Sequence, residues 1–351
     1  MADAGVDAVL LSLGADLPWL SGYEAMPLER LTLLVVPSDA PATMVVPRLE
    51  APRVESDDNV FSLRPWAETD DPVAIVADLV GSRSHLAISD RTWATFLLAL
   101  QTALPAASWI RASLVTGPLR AVKDAAEVSA LAAASRAADR VASALLAGEI
   151  ALIGRSEAQV SADLGRRLVD EGHDKVNFAI VGSGPNSASP HHQPAGRWIG
   201  PGEAVVCDFG GTMAGYCSDI TRTVVTGEPA PEFSELYGVL QSAQADAVAS
   251  ARIGVTCEQV DAAARAPITD AGFGDAFLHR TGHGIGLEEH EDPYIVVGNA
   301  STLVAGHAFS VEPGIYLDGR FGARIEDIVV TEGGGPRLLN TADRGLTVVE
   351  A

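Results

Sequence analysis

The sequence predicts an α/β protein of two domains, and three observations carry that expectation. The chain has 351 residues, beyond the roughly 250–300 at which a single core usually stops growing. Its first third alternates short apolar runs with clusters of Pro, Asp and Ser, the pattern of strands joined to helices. Its remainder contains two stretches that echo each other at an offset of 100 residues, which suggests two related α/β halves.

The elements follow in order. Residues 31–36 (LTLLVV), 43–46 (TMVV) and 85–88 (HLAI) read as strands, and residues 90–104 (DRTWATFLLALQTAL) are long enough for a helix. A break around Thr116, Gly117 and Pro118 marks the domain boundary, giving residues 1–117 and 118–351. After it, Val128, Leu131, Ala138, Val141 and Leu145 recur at helical spacing within the alanine-rich residues 123–146. The echo pairs residues 154–172 (GRSEAQVSADLGRRLVDEG) with residues 254–272 (GVTCEQVDAAARAPITDAG). Ser156 with Gln159, and Thr256 with Gln259, have the capping-box spacing at a helix start, and each stretch closes on glycine. A site at the seam of two such halves would draw its residues from both.

Composition narrows the function. With 24 basic against 46 acidic residues the net charge is -22, which opposes nucleic acid and anionic membrane as partners. No apolar run approaches the roughly 20 residues that span a bilayer. Three cysteines, without a paired framework or a secretory leader, point to a cytoplasmic protein. Cys207 and Cys217 flank acidic residues but are expected to be buried packing residues, Cys207 facing away from Asp208 on a strand.

The chemistry lies in an ordered series: Asp208 in VVCDFGG, Asp219 in YCSDITRT, His283 in TGHGIG, Glu312 in SVEPGIY and Glu326 in ARIEDIVV. Four hard oxygen donors and one imidazole suit a pair of divalent first-row ions, being too acidic for a lone structural zinc and too poor in thiolate for iron and sulfur. Asp208 and Asp219 are expected on a hairpin with a glycine-rich turn, where the two acids face one another across strands. Burying them among apolar neighbours without cations would be costly. Glycines flanking His283 exclude a helix and let the backbone approach a metal or substrate. His279, His283 and His290 fall within twelve residues of a chain that has eight histidines, and no HExxH helix accounts for them. Glu312 precedes a Pro-Gly break, and Glu326 is expected inside a strand over residues 325–330. Arg324 shares a face with Glu326 and can pair with a ligand carboxylate, whereas Asp327 points the other way and is expected to be structural.

Taken in order, VCDFGG, SDITRT, GHGIGLEEHE, VEPGIY and ARIED resemble the prolidase and aminopeptidase P family of pita-bread metallopeptidases. Residues 30–50 (RLTLLVVPSDAPATMVVPRLE) and 119–128 (LRAVKDAAEV) are similar to that family's N-terminal domain and linker helix, so the likeness covers nearly the whole chain. The fold it implies is a creatinase-like N-terminal α/β domain followed by a pita-bread catalytic domain, a duplicated α/β unit with mostly antiparallel sheet. Among the subgroups the chain is most similar to bacterial Xaa-Pro dipeptidases.

The resemblance implies that Asp208, Asp219, His283, Glu312 and Glu326 hold two divalent ions, with Asp219 and Glu326 bridging them. Manganese is favoured by the oxygen-rich set, with cobalt or zinc as alternatives. It further implies a metal-bridging hydroxide that attacks the bond before a C-terminal proline, His290 as donor to the oxyanion and Glu312 as proton shuttle. His191 matches the substrate-binding histidine, but His192 stands where a glycine is common, which leaves the choice between them open. His279 and Arg324 fall in the outer shell. A homodimer is implied, with Trp19 or Trp66 able to reach a partner's pocket, against the commoner outcome of packed core tryptophans. Family members usually carry a helix before the segment equivalent to AGVDAVLLS, so a shortened or late start is expected here. An Xaa-Pro aminopeptidase acting on longer peptides, or a metal-dependent hydrolase of another amide, stays open. Creatinase-like enzymes and pita-bread binding modules of this fold lack the ligand set, which this chain keeps whole.

Overall fold

The computed structural model describes residues 1–55 and 59–349. The chain separates into two compact units, Met1–Arg120 and Ala121–Ala351.

The first unit is built on one six-stranded mixed sheet. Its strands are β1 (Ala8–Leu11), β2 (Leu33–Pro37), β3 (Ala42–Pro47), β4 (Phe61–Trp66), β5 (His85–Ile88) and β6 (Ser108–Arg111), in the order β4-β3-β2-β1-β5-β6. Helices α1 (Asp16–Ser21), α2 (Pro72–Val80), α3 (Ala94–Ala103) and α4 (Ser113–Ala121) accompany it. Alternation along β1 and β2 explains the continuous apolar runs. Val9, Leu11 and Leu34 enter one core cluster while Ala8, Leu10, Leu33 and Val35 enter another, so both faces of the sheet are covered. Trp66 is a core residue whose indole N–H donates to the Leu31 carbonyl at 3.0 Å, which leaves it unable to reach a partner's pocket. Trp19 is half-buried.

The break expected around residues 116–118 is helical: Pro118 lies inside α4. The reason is tertiary. On either side of Pro118, Thr116 donates to Asp16 at 3.0 Å and Arg120 pairs with the same carboxylate at 2.9 Å, which fixes the turn that the missing N–H would weaken.

The second unit opens with α5 (Ala125–Leu146) and α6 (Glu157–Asp170), followed by strands β7 (Lys175–Ser183), β8 (Ala204–Met213), β9 (Tyr216–Cys217) and β10 (Ile220–Val225). Helices α7 (Pro231–Ser250) and α8 (Cys257–Asp270) come next. The chain ends with β11 (Gly282–Gly284), β12 (Glu291–Ile295), β13 (Ala308–Val311), β14 (Gly314–Leu317), β15 (Phe321–Arg324), β16 (Asp327–Glu332), β17 (Gly335–Leu338) and β18 (Thr347–Val348). One sheet runs β18-β10-β8-β7 with β9 on β8, another runs β12-β11-β13-β16-β17, and β14 pairs β15. All pairings here are antiparallel except that of β10 with β18.

The internal echo extends into three dimensions. Helices α6 and α8 both start with a complete capping box, Ser156 with Gln159 and Thr256 with Gln259. Each start also bridges a later extended segment, Ser156 to Trp198 and Thr256 to Thr302. Packing repeats the pattern: α5 and α6 cover β7, β8 and β10 in one cluster, and α7 and α8 cover β13, β14 and β15 in another. The buried face of α5 is the expected one, with Leu131, Ala138, Val141 and Leu145 shielded from water.

Candidate active site

Asp208 lies in β8, and its strand partner in β10 is Thr221, not Asp219. The expected face-to-face pair of acids is therefore offset: Ile220 pairs with Phe209, which sets Asp219 level with Gly210, one diagonal step from Asp208 on the same face. Gly210 and Gly211 belong to the strand itself, and the tight turn is made by Ala214 (φ 49°) and Gly215 (φ 84°) between β8 and β9. Cys207, next to Asp208, faces the core, and burial pushes its thiol up to about 12. Cys207, Cys217 and Cys257 are all buried and free.

His283 is the centre of β11. A Cβ on Gly282 would meet the Ser310 carbonyl oxygen at 1.8 Å, and one on Gly284 would meet the Asp292 carbonyl oxygen at 2.2 Å. The glycines thus admit the protein's own neighbouring strands, where the sequence suggested a ligand. The His283 Nδ1–H points to the Gly284 carbonyl at 3.1 Å, which turns the Nε2 lone pair toward the acids. That Nε2 lies 3.1 Å from Glu312 Oε1 and 3.7 Å from Asp219 Oδ2. One ligand atom from each of Asp219, His283 and Glu326 can be chosen so that all lie within 4.8 Å of one another.

Glu312 follows β13 and accepts from the Ser310 hydroxyl at 3.1 Å. Glu326 occupies the break between β15 and β16 instead of sitting inside a strand. What interrupts the strand is an isolated bridge to Thr221, whose carbonyl accepts from the Glu326 N–H at 3.2 Å and whose hydroxyl donates to Glu326 Oε2 at 2.7 Å. Thr221 therefore holds acids from both halves in register.

Electrostatics identify what the cluster can hold. Asp208 Oδ1, Asp219 Oδ1 and Glu326 Oε1 are buried with no hydrogen-bond partner. Burial, joined by repulsion among the carboxylates, raises Asp219 and Glu326 well above the usual range and raises Asp208 as well. Burial also pushes on Glu312, but the imidazoles of His283 and His279 and the Arg324 guanidinium outweigh it and leave that carboxyl at about 2. Arg324 alone among the described cations pairs with one of the four acids, through Asp208 Oδ2. Four carboxylates, one guanidinium and three orphaned oxygens fit divalent cations, for which hard oxygens and one imidazole are suitable donors.

An outer ring supports this centre. Arg324 also donates to Thr221 Oγ1 at 3.0 Å, to Tyr316 Oη at 2.9 Å and to the Pro190 carbonyl at 3.4 Å. Tyr316 Oη lies 2.9 Å from His279 Nε2. The His290 ring sits 4.1 Å from that of His283, and partial desolvation with repulsion from His283 pushes it down to about 4, so it is neutral at pH 7. The two candidate substrate histidines separate cleanly. His192 Nε2 is 2.8 Å from the buried Glu157, whereas His191 is exposed and has no hydrogen bond among the described residues. The Pro190 carbonyl, one residue before His191, is nonetheless held by Arg324 at 3.4 Å, which ties the loop of His191 to the acids. Asp327, as expected, faces away into a structural network.

Sequence reasoning missed Thr221, Tyr316 and Glu157. Thr221 lies two residues past Asp219 and so on its face, a signal that was present in SDITRT; Tyr316 closes VEPGIY, a motif read only for its acid.

Comparison with known proteins agrees with this geometry. Residues 129–332 match metallopeptidase family M24, and residues 1–122 match the creatinase/prolidase N-terminal domain. The crystal structure of dipeptidase PepE from Mycobacterium ulcerans is 46% identical and superposes with a TM-score of 0.93, covering 100% of this chain and 95% of its own. A recombinant prolidase from Thermococcus sibiricus is 36% identical with a TM-score of 0.92, over 98% and 95% of the two chains. The Xaa-Pro dipeptidase of Lactobacillus helveticus is 34% identical over 99% of this chain and 96% of its own. With half the chain and every acidic strand junction inside the matched region, the protein belongs to metallopeptidase family M24, a hydrolase that carries the creatinase/prolidase domain ahead of its catalytic one.

Proposed function

We propose that the chain is an Xaa-Pro dipeptidase working with two divalent ions held by Asp208, Asp219, His283, Glu312 and Glu326. The observation that carries this reading is the set of three orphaned carboxylate oxygens buried beside the turned Nε2 of His283. Bound there, such ions supply a water of lowered pKa and polarise the scissile carbonyl. Asp219 and Glu326, each with one buried oxygen that has no hydrogen-bond partner and each able to meet His283 within 4.8 Å, would be held in common by both ions. Oxygen-rich ligation favours manganese, with cobalt or zinc able to serve.

The chain's own groups do the rest. Glu312, which accepts from the Ser310 hydroxyl and lies 3.1 Å from His283 Nε2, receives the proton released by the attacking water and returns it to the proline nitrogen. Neutral His290 donates to the carbonyl oxygen as charge builds on it. His191 faces the substrate. An Xaa-Pro amide has no N–H, so the site needs no acceptor there. Arg280 favours a dipeptide. Its guanidinium stacks 4.5 Å over the Tyr294 ring, has no carboxylate partner among the described residues and is close enough to perturb His290. A dipeptide's terminal carboxylate, close to the scissile bond, is a group that such a cation can meet.

The test compares proline release from Xaa-Pro dipeptides with cleavage of Xaa-Pro tripeptides, using metal-free enzyme reloaded with manganese, cobalt or zinc. Faster dipeptide turnover, highest with manganese, is expected. Tripeptide preference would make the enzyme an Xaa-Pro aminopeptidase instead, and full activity in chelator would remove the metals from the mechanism.

A further inference from the structure

Glu157 is a carboxylate buried without any exposure at the first position of α6, and the hydrolytic chemistry above makes no use of it. It is fully satisfied. Ser183 donates both its N–H and its hydroxyl to Oε1 at 2.8 Å, Asn186 Nδ2 lies 3.0 and 3.1 Å from the two oxygens, and His192 Nε2 lies 2.8 Å from Oε2. Burial works against its ionisation, but these donors win and hold the carboxyl below its ordinary range. An ionised carboxylate only accepts, so the His192 ring carries its proton on Nε2.

These donors lie at the end of β7 and along the segment that runs on through His191 to His192. The following residue, His192, is held from below by Glu157, and the preceding one, Pro190, has its carbonyl held by Arg324 Nη1 at 3.4 Å. His191 is the residue left between two anchors, its side chain exposed on a loop that Arg324, itself paired with Asp208, ties to the carboxylate cluster. The second half of the catalytic unit uses the same device. Buried Asp261 on α8 accepts from the Thr281 N–H and hydroxyl and from Arg265, which donates onward to the His279 carbonyl at 2.8 Å. In each half, an acid on the capping-box helix ties down the histidine-bearing loop.

We propose that Glu157, acting through His192, is a positioning residue that fixes His191 toward the substrate. This deepens the dipeptidase reading and rests on it for its kinetic arm. His192 is therefore the anchor and not a second substrate histidine. An anchor of this kind acts on binding, so its loss raises KM while leaving kcat within about threefold.

The experiment combines kinetics on a Xaa-Pro dipeptide with imidazole NMR of the metal-loaded full chain. His192→Ala is expected to raise KM about tenfold, and Glu157→Gln about threefold, because the amide keeps an acceptor for Ser183 and His192 can shift its proton to meet it. The double variant His191→Ala/His192→Ala should match His191→Ala alone, since an anchor has no effect once its cargo is gone. Losses that multiply in the double variant would overturn the proposal. In the NMR arm, Glu157→Gln should remove a protected Nε2–H signal from His192 and move the His191 ring signals. Unchanged His191 signals would overturn it even where no Xaa-Pro peptide is cleaved, a result that would count separately against the substrate reading. Melting curves on each variant keep a folding defect distinct from either outcome.

Discussion

Glu326 and Asp327 are neighbours in the chain, equally buried, and treated in opposite ways. Asp327 accepts from Arg222 Nη2 at 2.8 Å, from Gln244 Nε2 at 2.8 Å and from Arg344 Nε at 2.5 Å. The Glu326 carboxylate receives one threonine hydroxyl and no cationic donor among the described residues, keeps an orphaned oxygen, and is raised well above its usual range by burial and by Glu312 and Asp208. The comparison teaches that this fold readily places guanidinium groups against a buried carboxylate when the carboxylate is structural. Where it withholds them, as at Asp219 and Glu326, the buried acids keep orphaned oxygens, the arrangement expected of the metal ligands proposed above; Asp208 pairs with Arg324 through one oxygen and keeps the other orphaned.

The sharpest way to break that contrast is to delete one acid from each side. Asp219→Ala should cut turnover on the order of 10³-fold or more and remove one metal equivalent, measured by steady-state kinetics and metal analysis. Its metal-free melting temperature should hold or rise, because a buried like charge has been removed. Normal turnover in this variant would end the bridging role. Asp327→Ala should do the reverse, costing about 3–5 kcal/mol in denaturant unfolding by stranding buried guanidinium groups, while the folded fraction keeps its full metal content. A destabilisation equal in both variants would erase the distinction.

A gentler effect comes from pH. Asp208, Asp219 and Glu326 have folded-state pKa values above the ordinary carboxylate range. The metal-free folded chain therefore binds more protons than the unfolded one, and these groups contribute stability at low pH that is lost as pH rises through the raised values. Divalent ions compete with those protons. The gain in melting temperature on adding manganese should grow as pH rises above the ordinary carboxylate range; a gain that is flat or shrinks over that rise would mean the acids are not the ligands.

The same contrast explains what the sequence revealed. Asp208, Glu312 and Glu326 were legible because each adjoins an apolar run, which is the local mark of a buried charge. Whether a buried charge is satisfied is not local. Arg222 and Gln244 lie far from Asp327 in sequence, and only the strand register brings them together. Thr221 escaped because its role depends on a bridge to a residue 105 positions away. Glu157 reads as an ordinary first-turn acid, favourable to the helix dipole, and its burial under the loop of His191 is a tertiary fact. The stretch around residues 116–118 is helical where a break was expected for a similar reason, since Asp16 clamps the helix from 100 residues upstream.

The smallest expected effect tests how far the ligand side of the contrast extends. His279 Nδ1–H points to the Arg280 carbonyl at 2.7 Å, so its Nε2 accepts from the Tyr316 hydroxyl, whose oxygen in turn accepts from Arg324. Burial pushes the Tyr316 phenol up to about 12, so the donor keeps its proton across the working range. Tyr316→Phe removes the hydroxyl and nothing else. Arg324 retains Thr221, the Pro190 carbonyl and Asp208, so the clamp on Asp208 survives. Turnover should fall by about tenfold or less, the lower end for an outer partner of a metal site, with metal stoichiometry unchanged. Loss of a metal equivalent would show instead that the orientation of Asp208 depends on the whole chain from His279 through Tyr316 and Arg324, and that the withheld counter-charge at the acids is set three residues deep.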